Sequence, residues 1–346
     1  MNLESLRALK LELQEDPVLP HAIARALGVS AARAPRALAE RLDRAHTRSA
    51  RETNVAIGVA KGRGPKDYRL GVRVQLPARK ARAFASHVEA RARGEVDVRI
   101  VPRVKARPLP QRRWFRSLRR PLEPGLSIGQ GPDGAGTLGA FVEDADGLYV
   151  LSNNHVLADV NAALPGAPVS QPGDLDRNAT RKTLIGVLDR FIPISFTRAN
   201  VVDCAIAEVL HGVKIRRRYH RVLRGRKLRA PRPITLDDLG RRVFKAGRTT
   251  GVTFGRITQV EVDRLRVELG DDDDLREALF SDQIEVEGDD GRAFSDSGDS
   301  GSLIVDRTGT PLALLFCGGP DERGADLTWA NVLTTVLAKL GVQFAR

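Results

Sequence analysis

A serine set between two glycines is the residue of this chain best placed to do chemistry. It lies in the Gly-Asp-Ser-Gly sequence at residues 298–301, which leads directly into an apolar, strand-forming segment. Glycines let the backbone turn tightly and approach a substrate closely. The loop of Gly298, Asp299 and Ser300 could therefore form an oxyanion hole, with the N–H groups of Gly298 and Ser300 as donors. We predict a nucleophile at Ser300, although a plain β-turn before a strand has the same pattern.

Two upstream segments supply a base and a carboxylate. His155 follows an apolar, strand-like run at 147–152 and a polar break, in a short helical segment. Asp203 lies inside the apolar run Val-Val-Asp-Cys-Ala-Ile at 201–206, where an ionised carboxylate is costly unless a partner satisfies it. An Asp that accepts the Nδ1–H of a histidine removes that cost and fixes the tautomer of the ring. We predict a catalytic triad in which His155 is the base, Asp203 the orienting group and Ser300 the nucleophile.

The order and the flanking sequences of these residues resemble the chymotrypsin-like (trypsin-fold) serine peptidases, in which His precedes Asp and Asp precedes Ser. The resemblance covers about residues 126–346. It is closest to the bacterial trypsin-like proteins related to the plant NARROW LEAF 1 type, which are similar at residues 54–60, 136–139, 151–158 and 245–251. It implies a serine endopeptidase of mainly β fold, with two six-stranded antiparallel β-barrels of trypsin type and with no need of a cofactor or a metal.

The same resemblance implies a substrate pocket, formed by residues just before the nucleophile and by a strand after it: Ala293, Phe294, Phe316, Cys317 and Gly318. None of these side chains is acidic, so a demand for Lys or Arg in the substrate is not expected. We predict a pocket for a modest apolar side chain. Asp299, beside the oxyanion hole, needs a cationic partner, and both Lys245 and Arg248 are candidates.

The patterning of the sequence predicts several regions. Residues 51–103 combine strand-like alternation with a helical stretch, so we expect a small α+β domain that acts as a pro-domain, an inhibitory flap or a partner-binding module. The predicted regions are a helical segment at 1–50, this domain at 51–103, a basic, Pro-containing linker at 104–125 and the peptidase domain at 126–346. The peptidase domain divides into barrel one at about 126–212, a basic connection at 213–235 and barrel two at about 236–346.

Three features of the sequence bear on the predicted cellular location of the protein. The N-terminal residues lack a basic start followed by an apolar core, so no secretory signal peptide is expected. No apolar run approaches the ~20 residues that span a bilayer. Only Cys204 and Cys317 occur, whereas secreted peptidases commonly carry several disulfides. We expect both cysteines to be small buried apolar residues, and we expect the protein to be cytoplasmic.

The formal net charge of +13 is concentrated in two Arg-rich runs, at 103–120 and 214–232. Such runs bind nucleic acid, anionic lipid or an acidic protein, or simply form a solvated surface. Three functions stay open at this point. The leading one is an intracellular serine endopeptidase with a narrow protein substrate and regulation by its N-terminal domain. The others are a catalytically silent scaffold of peptidase fold and a nucleic-acid-associated protein.

Overall fold

The computed structural model describes residues 3–15, 55–62, 64, 67–75, 95–101, 113–131, 134–176, 183–217, 219, 228–270, 275–322 and 324–345. Within these residues the chain forms nineteen strands and four α-helices, so the mainly β class is confirmed. None of the helices in this part of the chain is long and apolar enough to cross a bilayer. Predicted elements at 16–54, 76–94 and 102–112, and residues 218 and 220–227 of the basic run at 214–232, lie outside the described residues.

The N-terminal part contributes one helix and three strands. These are α1 Leu3–Glu15, β1 Val55–Lys61, β2 Tyr68–Val74 and β3 Val96–Ile100. The three strands lie within residues 51–103, where the sequence has strand-like alternation. β1 and β2 pair antiparallel, β2 and β3 pair parallel, and their apolar side chains form a small core of their own.

The first barrel is a curled half-barrel rather than a closed cylinder. After a short helix, α2 Arg113–Arg116, its strands are β4 Ser127–Gln130, β5 Gly136–Thr137, β6 Ala140–Glu143, β7 Leu148–Ser152, β8 Pro168–Ser170, β9 Leu184–Phe191 and β10 Ala205–Val209. The sheet order is β6-β7-β10-β9-β8-β4-β5, with antiparallel pairs throughout. The helix α3 Asn154–Leu157 follows β7 directly.

The second barrel closes. Its region contains β11 Arg242–Gly247, β12 Gly251–Asp263, β13 Leu265–Leu269, β14 Arg276–Phe280, β15 Gln283–Gly288, β16 Leu303–Asp306, β17 Pro311–Pro320 and β18 Asp326–Val332. Six of these strands form a ring in the order β11-β16-β17-β18-β15-β12, and β12 pairs with β11 to complete it. β13 and β14 form a separate hairpin. The trypsin-type double-barrel fold expected from the sequence is therefore confirmed, with one barrel closed and one half-open.

The N-terminal strands extend the second barrel, because β1 pairs antiparallel with β12. A buried ion network supports this junction. The Arg73 guanidinium is fully buried and lies 2.7 Å from Glu285 Oε1 and 2.9 Å from Asp97 Oδ2. Whether residues 51–103 also form an independent domain stays a prediction.

The chain ends by returning to the first barrel. The helix α4 Leu333–Leu340 follows β18, and β19 Gln343–Phe344 pairs with β6. Apolar side chains of both barrels and of α4 meet in one shared core, which includes Leu151, Phe244 and Leu333. Burial of this apolar surface holds the two barrels together, and the predicted triad residues lie along their junction.

Candidate active site

The nucleophile loop requires glycine on both sides of Ser300. Gly298 has φ +87° and Gly301 has φ +89°, a region that other residues adopt only with strain. A Cβ at Gly298 would lie 2.1 Å from Arg248 Nη1, and one at Gly301 would lie 2.3 Å from the Thr137 carbonyl oxygen. The turn therefore exists because the sequence omits these side chains, as the sequence pattern suggested.

His155 and Asp203 form the pair that the sequence predicted. His155 Nδ1 lies 2.5 Å from Asp203 Oδ2, and the Asp203 carboxylate is fully buried. Its other oxygen, Oδ1, accepts the backbone N–H of Asn154 at 2.7 Å and that of His155 at 3.3 Å. These donors at the start of α3 satisfy the buried carboxylate and fix the ring with Nδ1–H toward Asp203. Nε2 is then the nitrogen available as a base.

A second set of residues, which sequence reasoning missed, positions Asp203 from the other barrel. The backbone N–H of Asp203 donates to Asn331 Oδ1 at 3.0 Å. Asn331 Nδ2 donates to Gln283 Oε1 at 2.7 Å, and Gln283 Nε2 donates to the Val201 carbonyl oxygen at 3.0 Å. Both amides are fully buried. Their only sequence signal is a polar residue inside an apolar strand.

Ser300 and His155 line the same cleft, which has a volume of about 1000 Å³. In this structure Ser300 Oγ donates to the Phe316 carbonyl oxygen at 3.3 Å. Among the hydrogen bonds of the described residues, none joins Ser300 Oγ to His155. Catalytic hydrogen bonds in free enzymes are often long or misaligned and tighten when substrate binds. The three predicted triad residues are thus brought to one site, with the hydroxyl turned toward β17.

The backbone of the loop offers two donors for an oxyanion. The Ser297 carbonyl oxygen accepts Thr249 Oγ1–H at 2.5 Å, and a planar trans peptide then directs the Gly298 N–H the opposite way. Within the described residues, neither the Gly298 nor the Ser300 N–H donates to a protein acceptor. The Asp299 N–H, by contrast, donates to the Asp296 carbonyl oxygen at 2.9 Å. The Asp299 N–H is therefore occupied within the loop and is not among the donors available to an oxyanion.

Lys245 is the partner of Asp299. Lys245 Nζ lies 2.8 Å from Asp299 Oδ2, and both side chains are fully buried. Asp299 Oδ1 also accepts the backbone N–H of Thr249 at 2.8 Å and that of Thr250 at 3.2 Å. Arg248, the other candidate, instead binds Asp176 through Nε and Nη2. The Asp299 side chain is therefore held by Lys245 and by the turn at 249–250.

Four of the five residues predicted to form the substrate pocket lie along the cleft. Ala293, Phe316, Cys317 and Gly318 line the cleft. Phe294 does not, because its side chain is fully buried in the core of the second barrel, so this part of the prediction is wrong. Its backbone still shapes the site by donating an N–H to a carboxylate that the sequence analysis did not consider.

That carboxylate is Asp326, the first residue of β18. Its Oδ2 accepts the backbone N–H of Phe294 at 3.1 Å and that of Ser295 at 3.4 Å. Burial raises the pKa of Asp326 to about 6, and the negative charge of Asp296 adds to the rise. Asp296 lines the same cleft. The cleft wall near the nucleophile is therefore acidic, contrary to the apolar pocket expected from the sequence.

The two cysteines are free thiols near the catalytic pair. Cys204 is buried and Cys317 is partly exposed at the cleft. Burial, reinforced by the negative charge of Asp203, raises the pKa of both thiols well above the ordinary value. Neither is thus activated as a nucleophile. Within the described part of the chain, His, Cys, Asp and Glu side chains form no cluster of three or more that could hold a metal ion.

Several described arginines of the Arg-rich runs contact other groups of the same molecule. Arg120 Nη1 donates to Gln171 Oε1 at 2.6 Å, and the Arg119 guanidinium lies 5.3 Å from the centroid of the Trp114 ring. Arg216 and Arg217 lie 3.5 Å and 3.7 Å from Glu123 and Glu143, respectively. These arginines have intramolecular partners, while residues 221–227 lie outside the described residues.

Comparison with known proteins gives similarity in structure only. No family model matches the sequence, and no curated protein matches it. Thermobifida fusca Protease A shares 14% identity over 64% of this chain and 97% of its own, with a TM-score of 0.43. A glutamic acid specific serine protease shares 17% identity over 64% of this chain and 99% of its own, with a TM-score of 0.46. A Nocardiopsis protease shares 15% identity over 64% of this chain and 98% of its own, with a TM-score of 0.45. At this level of similarity, only the geometry of the site carries a functional proposal.

Proposed function

We propose that this protein is a serine endopeptidase that cleaves peptide bonds through an acyl-enzyme. The observation that supports it most is the buried Asp203 carboxylate, 2.5 Å from His155 Nδ1, in the cleft that also holds Ser300. The presence of this carboxylate next to a serine on a tight glycine turn fits general-base activation of that serine.

The reaction follows from the groups in place. Ser300 Oγ attacks the scissile carbonyl carbon, and His155 Nε2 takes the hydroxyl proton. The Gly298 and Ser300 N–H groups stabilise the oxyanion, and Asp203 stabilises the imidazolium. His155 then gives the proton to the leaving amine. Water, activated by the same ring, hydrolyses the acyl-enzyme and restores Ser300.

An extended peptide is the substrate that fits the cleft. On its β16 side, β17 is hydrogen-bonded as far as Leu315, whose backbone groups pair with those of Gly301 and Ser302, whereas β17 continues to pair with β18 as far as Pro320. One backbone edge of β17 beyond Leu315 therefore borders the cleft, and the Phe316 carbonyl oxygen lies there beside Ser300. A substrate strand can add to this edge through its main chain, which favours a polypeptide over a small ester.

Finer features of the proposal are a cytoplasmic location, a relationship to the bacterial proteins of the NARROW LEAF 1 type, and regulation by the N-terminal part. The two unbridged thiols agree with a reducing compartment. Among the described residues, none from 3–101 lines the cleft. Regulation by that described part would therefore act through the β1–β12 junction rather than by covering Ser300.

A fluorophosphonate probe tests the proposal, because it reacts with a serine only when a base activates it. We expect rapid labelling of the wild-type protein and none of Ser300→Ala. His155→Ala should lose at least about 10⁴-fold in labelling rate. Circular dichroism of the variants controls for folding. Equal labelling of the wild-type protein and Ser300→Ala, or none of either, would refute the peptidase and favour a catalytically silent scaffold.

A further inference from the structure

Among the described residues that line the cleft, the Asp and Glu side chains have no Lys or Arg beside them. The charged residues described in its lining, apart from His155, are Asp159, Glu268, Asp296 and Asp326. No Lys or Arg occurs among these lining residues, although the whole chain has 56 Lys and Arg against 43 Asp and Glu. In a protein of net charge +13, a described cleft lining whose Asp and Glu are not matched by Lys or Arg is the opposite of what composition alone would produce. The site therefore attracts cations, and it does so against the overall charge of the molecule.

Asp326 is the carboxylate of this wall that is tied to the nucleophile loop. The N–H groups it accepts belong to Phe294 and Ser295, residues of the segment that runs to Ser300. Ser295 in turn shares a hydrogen bond of 2.6 Å with Thr328 Oγ1 of β18. Asp326 is thus fixed relative to Ser300 by two backbone contacts and by the β18 strand itself.

No described Lys or Arg forms an ion pair with Asp326. By contrast, Asp203 is paired with His155, and Asp299 is paired with Lys245. Accepting two N–H groups is a task that a neutral Asn could perform without the cost of a partly buried charge. The retained charge, next to Asp296 in the same cleft, is not explained by the fold. A cation supplied by the substrate would explain it.

We propose that Asp326 selects substrates with a Lys or Arg side chain immediately before the scissile bond. This inference rests on the proposed peptidase function and names its substrate class. The carbonyl of that substrate residue sits at Ser300, its side chain extends between β17 and the 293–296 segment, and its cation pairs with Asp326. Asp296 adds a second negative charge at the mouth of the same pocket.

Matched peptides test the specificity. Three fluorogenic peptides that differ only in Arg, Leu or Glu before the reporter group are compared by kcat/KM. We expect the Arg peptide to be cleaved best by the wild-type protein. In Asp326→Asn the Arg-to-Leu ratio should fall by about 30-fold or more, the effect of removing one member of a desolvated charge pair. The matched control is Glu268→Gln, which removes one charge from the cleft wall elsewhere and should change the ratio by less than about 3-fold.

A binding measurement separates failure of this inference from failure of the peptidase proposal. p-Aminobenzamidine, an aryl cation, should bind both the wild-type protein and Ser300→Ala, and Asp326→Asn should weaken its Kd by about 30-fold or more. Fluorophosphonate labelling with an unchanged Arg-to-Leu ratio in Asp326→Asn would overturn the cation pocket and leave the peptidase intact. Binding of the amidine without any labelling would keep the pocket and refute the catalysis. Amidine binding that ignores Asp326 would also overturn the inference.

Discussion

Two carboxylates beside the nucleophile loop have opposite surroundings. Asp299 is fully buried, pairs with Lys245 at 2.8 Å and accepts further bonds from Thr249 and Thr250. Asp326 is partly exposed to the cleft, accepts two backbone N–H groups and has no ion pair with a described residue. The paired carboxylate fixes the geometry of the loop, whereas the unpaired one keeps its charge available to a ligand. The Asp299 carboxylate thus stabilises the loop, whereas the Asp326 carboxylate is available to bind a ligand.

Breaking the Asp299 pair should have the largest effect on stability. In Lys245→Met the Asp299 charge stays buried without a cation, which typically costs about 3–5 kcal/mol. Urea unfolding, with fluorophosphonate labelling of the folded fraction, measures both the loss and its effect on the oxyanion loop. The double variant Lys245→Met/Asp299→Asn is the control, because it removes the orphaned charge and should recover part of the loss. A Lys245→Met protein as stable as the wild-type protein would contradict the assignment of this pair.

Removing the Asp326 charge should stabilise the protein, whereas breaking the Asp299 pair should destabilise it. The pKa of Asp326 rises from 3.8 to about 6, so the folded state binds this proton more tightly than the unfolded state. The wild-type protein therefore loses stability as pH rises from about 4 to 6, and the deficit is complete above that range. Asp326→Asn keeps an acceptor oxygen without the charge. We expect it to unfold with a free energy higher by up to about 3 kcal/mol at pH 8.

The pH dependence provides the check on that prediction. The stability difference between Asp326→Asn and the wild-type protein should shrink as pH falls through 6 and vanish near pH 4, measured by urea unfolding at each pH. The Glu268→Gln variant controls for loss of any one cleft charge. Equal stability of Asp326→Asn and wild type at pH 8 would mean that the Asp326 charge is satisfied in the free protein, and the contrast with Asp299 would fail.

The sequence predicts the surroundings of Asp299 better than those of Asp326. The three residues of the predicted triad each have a local sequence signal: glycines around Ser300, an apolar run around Asp203 and a strand end before His155. The sequence also limited the predicted partner of Asp299 to two residues, Lys245 and Arg248. Such local signals do not indicate which distant strands pair with each other.

Features that depend on distant pairing were missed. Asp326 reaches the 294–295 backbone only through the way β17 and β18 pair across a turn, and nothing near residue 326 indicates this. The amide chain from Asn331 to Asp203 likewise crosses from one barrel to the other. The joining of β1 to β12 links segments about 200 residues apart, and periodicity identifies strands but not their neighbours.

The ratio of Arg to Leu cleavage should depend on pH, and this is the smallest effect that distinguishes the two carboxylates. His155 and Ser300 act on both peptides, so their titration cancels in a ratio of kcat/KM values. Arg stays charged over the whole range, and kcat/KM reports groups of the free enzyme. With the pKa of Asp326 at about 6, roughly one molecule in ten has the ionised carboxylate at pH 5. The ratio should therefore fall about tenfold between pH 8 and pH 5 in the wild-type protein and stay flat in Asp326→Asn. A ratio that falls equally in both proteins would assign the titration to another group, because only Asp326 differs between them.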